Sequence, residues 1–298
     1  MNLQKDQIKK IEVYIENYAR PLDRALYNFH THAGSADSVF AALAKYQNED
    51  GGFGNALEPD MRQPQSTSIA TWFAFQYLKD IPEASDHEII KRALEYFIQT
   101  LDEEKVGWSV VVPEVDQHPH APWWNYDFAI AHFGWGNPAA EILGLFISYG
   151  DESHQDLIAR LTDKVLGRIK EVPSSDFHEV FCFKALYELA DTDLQNQLKE
   201  PLTNLITQAA STNPDEWTDY VATPLKFLNG PDDPFISLFS QSLIEQNIEF
   251  VLSKLQSDHW EPNWSWQEQY PEEWEIAKQE WSGELTVKNL LLLKSFNT

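Results

Sequence analysis

Gln47-Asn48-Glu49-Asp50-Gly51-Gly52-Phe53-Gly54 ends one helix-forming stretch, Ala44-Lys45-Tyr46-Gln47, and leads to another running from about Ser66 to Leu78. Adjacent glycines permit positive φ, so Gly51-Gly52 predicts a tight reversal. Asp50 is placed to accept amides inside that turn. Gln47 is placed to bond polar groups left open at a helix end. Phe53 then anchors the loop on apolar neighbours. The stretch reads as the joint of a helical hairpin.

The unit recurs. A second copy has Glu95-Tyr96-Phe97-Ile98-Gln99, a loop with Gly107-Trp108, and a helix near Ala139 to Ser148. The last has Leu252-Ser253-Lys254-Leu255-Gln256, a tryptophan-rich loop, and a helix from Leu285 to Phe296. Gln47 and Gln99 lie 52 positions apart, Gln208 and Gln256 48. Helix pairs at such a period imply stacked or ring-closed hairpins. Weaker pairs fill the gaps: Ile8–Tyr18 with Leu22–His30, Asp156–Val172 with Phe177–Ala190, and Leu194–Ala210 with about Glu216–Phe227, where Pro224 shortens or kinks the last. Six pairs suffice to close a ring. No Gly/Ser linker or composition shift divides the chain, so one domain over residues 1–298 is expected.

Connections within several pairs are long, about Asn48–Gln65, Asp102–Trp124 and Ser257–Gly283, whereas those between pairs, such as Ile81–Ser85 and Gly150–Ser153, are short. Long loops on a rigid scaffold are where function concentrates.

Composition narrows the partners. The formal net charge is −25, from 22 basic and 47 acidic residues. Such a surface repels nucleic acid and anionic membranes, which require clustered Lys and Arg. No apolar run is long enough to span a bilayer. The start, Met1-Asn2-Leu3-Gln4-Lys5-Asp6, lacks the layout of a signal peptide. Cys182 is the single cysteine, which excludes an internal disulfide and a Cys-rich zinc site. A cytoplasmic protein with a small-molecule ligand is the simplest expectation.

The Gln47–Gly54 stretch, continued through Arg62-Gln63-Pro64-Gln65 and Ser66-Thr67-Ser68-Ile69-Ala70-Thr71, resembles the QW-type repeat of squalene–hopene cyclases and protein prenyltransferase β subunits. Asp176-Phe177-His178-Glu179-Val180-Phe181-Cys182 is faintly similar to the histidine-bearing inner helix of the latter. The resemblance implies an all-α fold, an (α/α)6 toroid of six inner and six outer helices. The catalytic signatures of those families are missing. Asp191-Thr192-Asp193-Leu194 lacks the last residue of an Asp-x-Asp-Asp acid and sits in a short connection. His178 and Cys182 lack a matching Asp-x-Cys element for zinc, and basic residues for a diphosphate are few: Arg62, Lys105 and Lys278.

Eight of the eleven tryptophans fall in the long loops: Trp108, Trp123, Trp124, Trp260, Trp264, Trp266, Trp274 and Trp281. Such walls shield a cation, stack on sugars or pack loops. Carboxylates stand among them: Glu58, Asp60, Glu114, Asp116, Asp258, Glu261, Glu268 and Glu284. A carboxyl desolvated by aromatic rings gains a raised pKa and becomes a general acid. The densest stretch is Glu114-Val115-Asp116-Gln117-His118-Pro119-His120-Ala121-Pro122-Trp123-Trp124. His118 and His120, two apart, share a face when extended, and with Asp116 they suit an acid/base pair or a metal. No third ligand is identifiable, so no metal is assigned, zinc is disfavoured and no cofactor is implied.

The candidate catalytic residues are therefore Asp60, Asp116, His118 and His120. Glu58, Arg62, Trp123, Trp124, Trp264, Trp266 and Trp281 are the candidate substrate-binding residues, with Glu58-Pro59-Asp60 expected opposite the histidine stretch. The first functional expectation is a small-molecule enzyme using acid catalysis on an isoprenoid or other apolar substrate. A carbohydrate-active or sugar-binding toroid and a non-catalytic binding toroid stand as alternatives.

Overall fold

The motif loop folds as a web of side-chain bonds. The computed structural model describes residues 3–296; Met1 and Asn2, the start of the N-terminal stretch read above, lie outside them. The Gln47 side chain donates to the carbonyls of Gly51, at 2.8 Å, and Ile89, at 2.9 Å. It thereby ties its own loop to the start of the next helix. Asp50 accepts from the Gly52 amide and the Ser66 hydroxyl, at 3.0 and 2.8 Å. Of the two adjacent glycines, Gly51 is the one with a positive φ, +88°. Gly52 is small for another reason: a Cβ there would stand 2.6 Å from both Ser66 and Tyr96. Phe53 is fully buried, and its amide donates to Thr71 Oγ1 at 2.9 Å.

Among the described residues the protein is all-helical, without a named strand. Its α-helices are α1 (Lys5–Tyr18), α2 (Pro21–His30), α3 (Ala36–Leu43), α4 (Ser68–Phe75), α5 (Glu88–Gln99), α6 (Tyr126–His132), α7 (Gly136–Tyr149), α8 (Gln155–Arg168), α9 (Phe177–Leu189), α10 (Thr192–Ala209), α11 (Gln241–Ser253) and α12 (Pro271–Ser295). None is long and apolar enough to cross a membrane. Side-chain caps start two of them: Thr67 accepts from the Ala70 amide before α4, and Asp176 from the Glu179 amide before α9. Asp191 does the same for Leu194, so the Asp-x-Asp string starts a helix.

Two departures from the sequence reading matter. The expected helix over Glu216–Phe227 is absent; two short 3-10 turns, Pro214–Glu216 and Pro224–Phe227, stand there. Prolines head both turns, and a proline inside a helix lacks the amide its ladder needs. The last helix begins at Pro271, well before Leu285, so Trp274, Trp281 and Glu284 lie on α12 rather than in a loop.

The chain divides into two compact units, Leu43–Ala209 and Met1–Ala42 with Ala210–Thr298. In the first, α7 is the central helix: every residue from Gly136 to Phe146 is buried. It packs most extensively on α9 and also meets α4, α5 and α8. In the second, the chain's first helices dock on its last. α12 packs on α1 and α2, and Gly283 approaches Ala19 so closely that a Cβ there would lie 3.0 Å from it. Tyr14 stacks on His259 with centroids 4.3 Å apart, and Lys294 donates to the Tyr27 hydroxyl at 3.1 Å.

Candidate functional site

Segment 58–62 meets segment 119–121 in a short antiparallel pairing within the unit that carries the motif. Met61 bridges His120, the Arg62 amide donates to the Pro119 carbonyl, and the Ala121 amide donates to the Asp60 carbonyl, both at 2.9 Å. The two stretches expected to face each other thus do so, although nearly sixty positions separate them. Glu58, Asp60, Gln63 and His120 are all buried there. Neither end of the Gln63 amide has a hydrogen-bond partner among protein groups. Burying an amide without a partner costs about 1–3 kcal/mol. Pleating places the Met61 and His120 side chains on one face, with Asp60 and Ala121 on the other.

His120 is held from one side. Its Nδ1 lies 2.7 Å from the His118 carbonyl, which can only accept, so Nδ1 carries the proton. Nε2 then faces Asp116 Oδ1 at 3.7 Å. Asp116 is exposed and also accepts from the Asn125 side chain and the Tyr126 amide, each at 3.0 Å. His118 is half-buried, and among the described residues no three His, Cys, Asp or Glu side chains gather to hold a metal ion. Arg62 turns to the Pro59 carbonyl at 3.3 Å.

Beside this pairing lies an open trough of about 490 Å³, lined by Asn48, Asp50, Gln65, Ser66, Val112 and Glu114 among others. Its walls belong to the motif loop and to the 3-10 turn Pro113–Gln117, which also carries Asp116. Compared with protein-family models, curated proteins and solved structures, the chain matches none. The chemistry of the site therefore rests on its own geometry. The trough presents carboxylates, amides and a hydroxyl, a lining that suits a polar ligand without negative charge.

The candidate aromatic residues separate by task. Trp124 is buried and stacks on Phe133 at 4.9 Å, which makes it a packing residue, while Trp123 is half-buried. Trp264, Trp266 and Trp281 belong to the other unit. There Trp266 is fully buried, and Trp264 meets Trp281 edge-on at 5.2 Å. Several remaining indoles close helix ends. Trp108 donates to the Phe97 carbonyl at 2.7 Å, Trp260 to Val251 at 2.8 Å and Trp217 to Ser211 at 2.9 Å. Carbonyls at or near a helix C-terminus lack helical partners, and an indole N–H is a pure donor that can supply one.

Sequence reasoning passed over two buried acids. Glu141 sits in the middle of α7; burial pushes its carboxyl above the ordinary range, against the pull of Lys79, Gln76 and Trp72. Gln76 donates to it at 2.8 Å. The signal was present, since Ala139-Ala140-Glu141-Ile142-Leu143 is an apolar run with one acid in it. Glu179 is fully buried and takes a two-pronged bond from Arg168, at 2.8 and 2.7 Å, while also accepting from the Gly136 amide. Gly134 and Gly136 leave it room, for a Cβ at either would fall within 2.7 Å of its carboxylate. That constellation seats α7 on α9. The neighbouring Cys182 is buried, and burial pushes its thiol well up, whereas His178 is exposed, so the two share no ligand site.

Proposed function

We propose that the chain is an (α/α)6 toroid of the terpenoid cyclase and prenyltransferase β-subunit type that performs acid–base chemistry on a small polar molecule, carbohydrate being the class the trough suits best. The toroid reading draws support from the motif loop, from helix pairs at the repeat period, and from the docking of α12 on α1 and α2. The observation that carries the chemistry is the pairing of segments 58–62 and 119–121. It sets a buried, oriented His120 against Asp116, on the turn that also supplies Glu114 to the trough. His120 and Asp116 take the acid and base roles, Glu114 and Asn48 bind hydroxyls, and Asp60 braces the pairing through its carbonyl. Acidic surroundings disfavour nucleic acid and diphosphates as ligands.

A glycan array and a hydrolysis screen on the purified protein test this reading. Binding that falls about tenfold or more in Glu114→Gln, and turnover lost in His120→Asn, are the expected results. A flat response on both platforms retires it.

A second reading is favoured by Glu141, a carboxyl held towards its protonated form beside Trp72 in an apolar helix bundle. That is the equipment for protonating an alkene, with an isoprenoid as substrate. Incubation with squalene and shorter polyprenes would then yield product that Glu141→Gln abolishes.

A further inference from the structure

Asn229-Gly230 is the one asparagine–glycine step in the chain. An asparagine carboxamide can react with the backbone nitrogen of the residue after it, and a side chain on that residue obstructs the approach. Glycine, lacking a Cβ, leaves it open. Here the backbone itself calls for glycine: Gly230 has φ +156°, and a Cβ on it would stand 3.2 Å from Ser295 Oγ. Asn229 is exposed and lies in a bend outside any helix. Among the described residues the Gly230 amide donates to no protein group, so its nitrogen gives up no protein hydrogen bond when it reacts. The single aspartate–glycine step, Asp50-Gly51, differs on that point. Asp50 is exposed too, but the Gly51 amide donates to the Asn48 carbonyl at 3.1 Å, and the Asp50 carboxylate holds the Gly52 amide and the Ser66 hydroxyl.

We propose that Asn229 is a site of spontaneous deamidation, and that the modification loosens the turn it sits in. The Gly230 nitrogen attacks the Asn229 side-chain carbonyl carbon. The carboxamide nitrogen leaves as ammonia with the Gly230 amide proton, and a cyclic imide closes. Water then opens the ring at either carbonyl, giving aspartate or isoaspartate at position 229. Isoaspartate routes the main chain through its side chain, which inserts a methylene before Gly230. The turn has little tolerance for that insertion. Buried Asp233 accepts the Asn229 amide on Oδ2 at 3.0 Å and the Phe235 amide on Oδ1 at 2.9 Å, and its own amide donates to the Gly230 carbonyl at 3.3 Å. A longer main chain shifts that carbonyl out of register, and either product adds a negative charge close to Asp233. Phe227 and Phe235, on either side of the turn, are fully buried, so the loosening reaches the core of the unit holding both chain termini. The site is independent of the trough and its chemistry.

Ageing the purified full chain in mildly alkaline buffer tests it, with peptide mapping that resolves aspartate from isoaspartate. Conversion at residue 229 is expected to outpace that at every other asparagine by about tenfold or more, and to slow in mildly acidic buffer as the amide nitrogen loses its proton less readily. Asp50 stays unisomerised over the same period. Asn229→Gln, whose longer side chain would have to close a larger ring, stays unconverted at that position. The converted fraction, separated by anion exchange through its added negative charge, loses about a few degrees in Tm. Three results would each overturn the proposal: another asparagine converting first, residue 229 intact while a short Asn-Gly reference peptide converts in the same buffer, or an unchanged Tm in the converted fraction.

Discussion

The first and last repeat loops use one anchoring device and fill it differently. In the first, the Phe53 amide donates to Thr71 Oγ1; in the last, the Trp260 amide donates to Thr286 Oγ1 at 3.0 Å, and both threonines are fully buried. Each loop also folds back on its start, through Asn48 to Gly52 in one and Gln256 to His259 in the other. Beyond that they diverge. The first tightens through Gly51-Gly52 and continues into buried carboxylates paired with the His120 segment. The last runs through tryptophans to a helix of 25 residues. The two loops thus share the attachment of loop to helix and differ in what each inserts between its two attachments.

Removing the anchor is the harshest way to break that equivalence. Phe53→Ala and Trp260→Ala should each cost about 3–5 kcal/mol in urea unfolding, because each empties a fully packed position. A large loss at Phe53 with a trivial one at Trp260 would show that the two loops are not the same device. Thr71→Val and Thr286→Val sharpen the comparison, since they keep the shape and strand one buried amide. Losses of about 1–3 kcal/mol, matched between the two sites, are expected in the same assay.

The smallest effect separates the buried acids of the two units. Glu284 on α12 has the Lys288 ammonium one turn away, whereas Glu141 on α7 receives an amide from Gln76. Burial raises the Glu141 pKa, so the folded state holds its proton more tightly than the unfolded state. The stability from that proton is complete below the ordinary carboxyl range and is lost as pH rises through the raised value. Glu141→Gln should therefore gain in Tm relative to wild type as pH rises, by about a few degrees, with the gain vanishing in acid. A constant offset at every pH would refute this assignment.

Helices with clear periodicity were legible: α1, α2, α8 and α9 lie within a few residues of where apolar spacing put them. The Glu216–Phe227 stretch was not, because apolar spacing there outweighed Pro224 in the reading while the missing amide outweighs spacing in the chain. Loop tryptophans looked like a substrate wall, yet Trp108 and Trp260 bond carbonyls near the ends of the helices that precede their loops, a role that depends on how each loop folds back on its helix. Of the candidate residues, Asp60 and His120 were legible as neighbours from proline-stiffened loops rich in acids and histidines.

By itself the amino-acid order determined the local matters: the bounds of the strongly periodic helices, the tight turn at Gly51, and the bonding of Asp50 within it. These depend on φ preferences and on groups within a few residues of one another. Only tertiary structure decided which acids lose water and which keep it, how far His120 stands from Asp116, and which basic group meets which carboxylate. Desolvation and charge pairing act through space, and residues far apart along the chain set them.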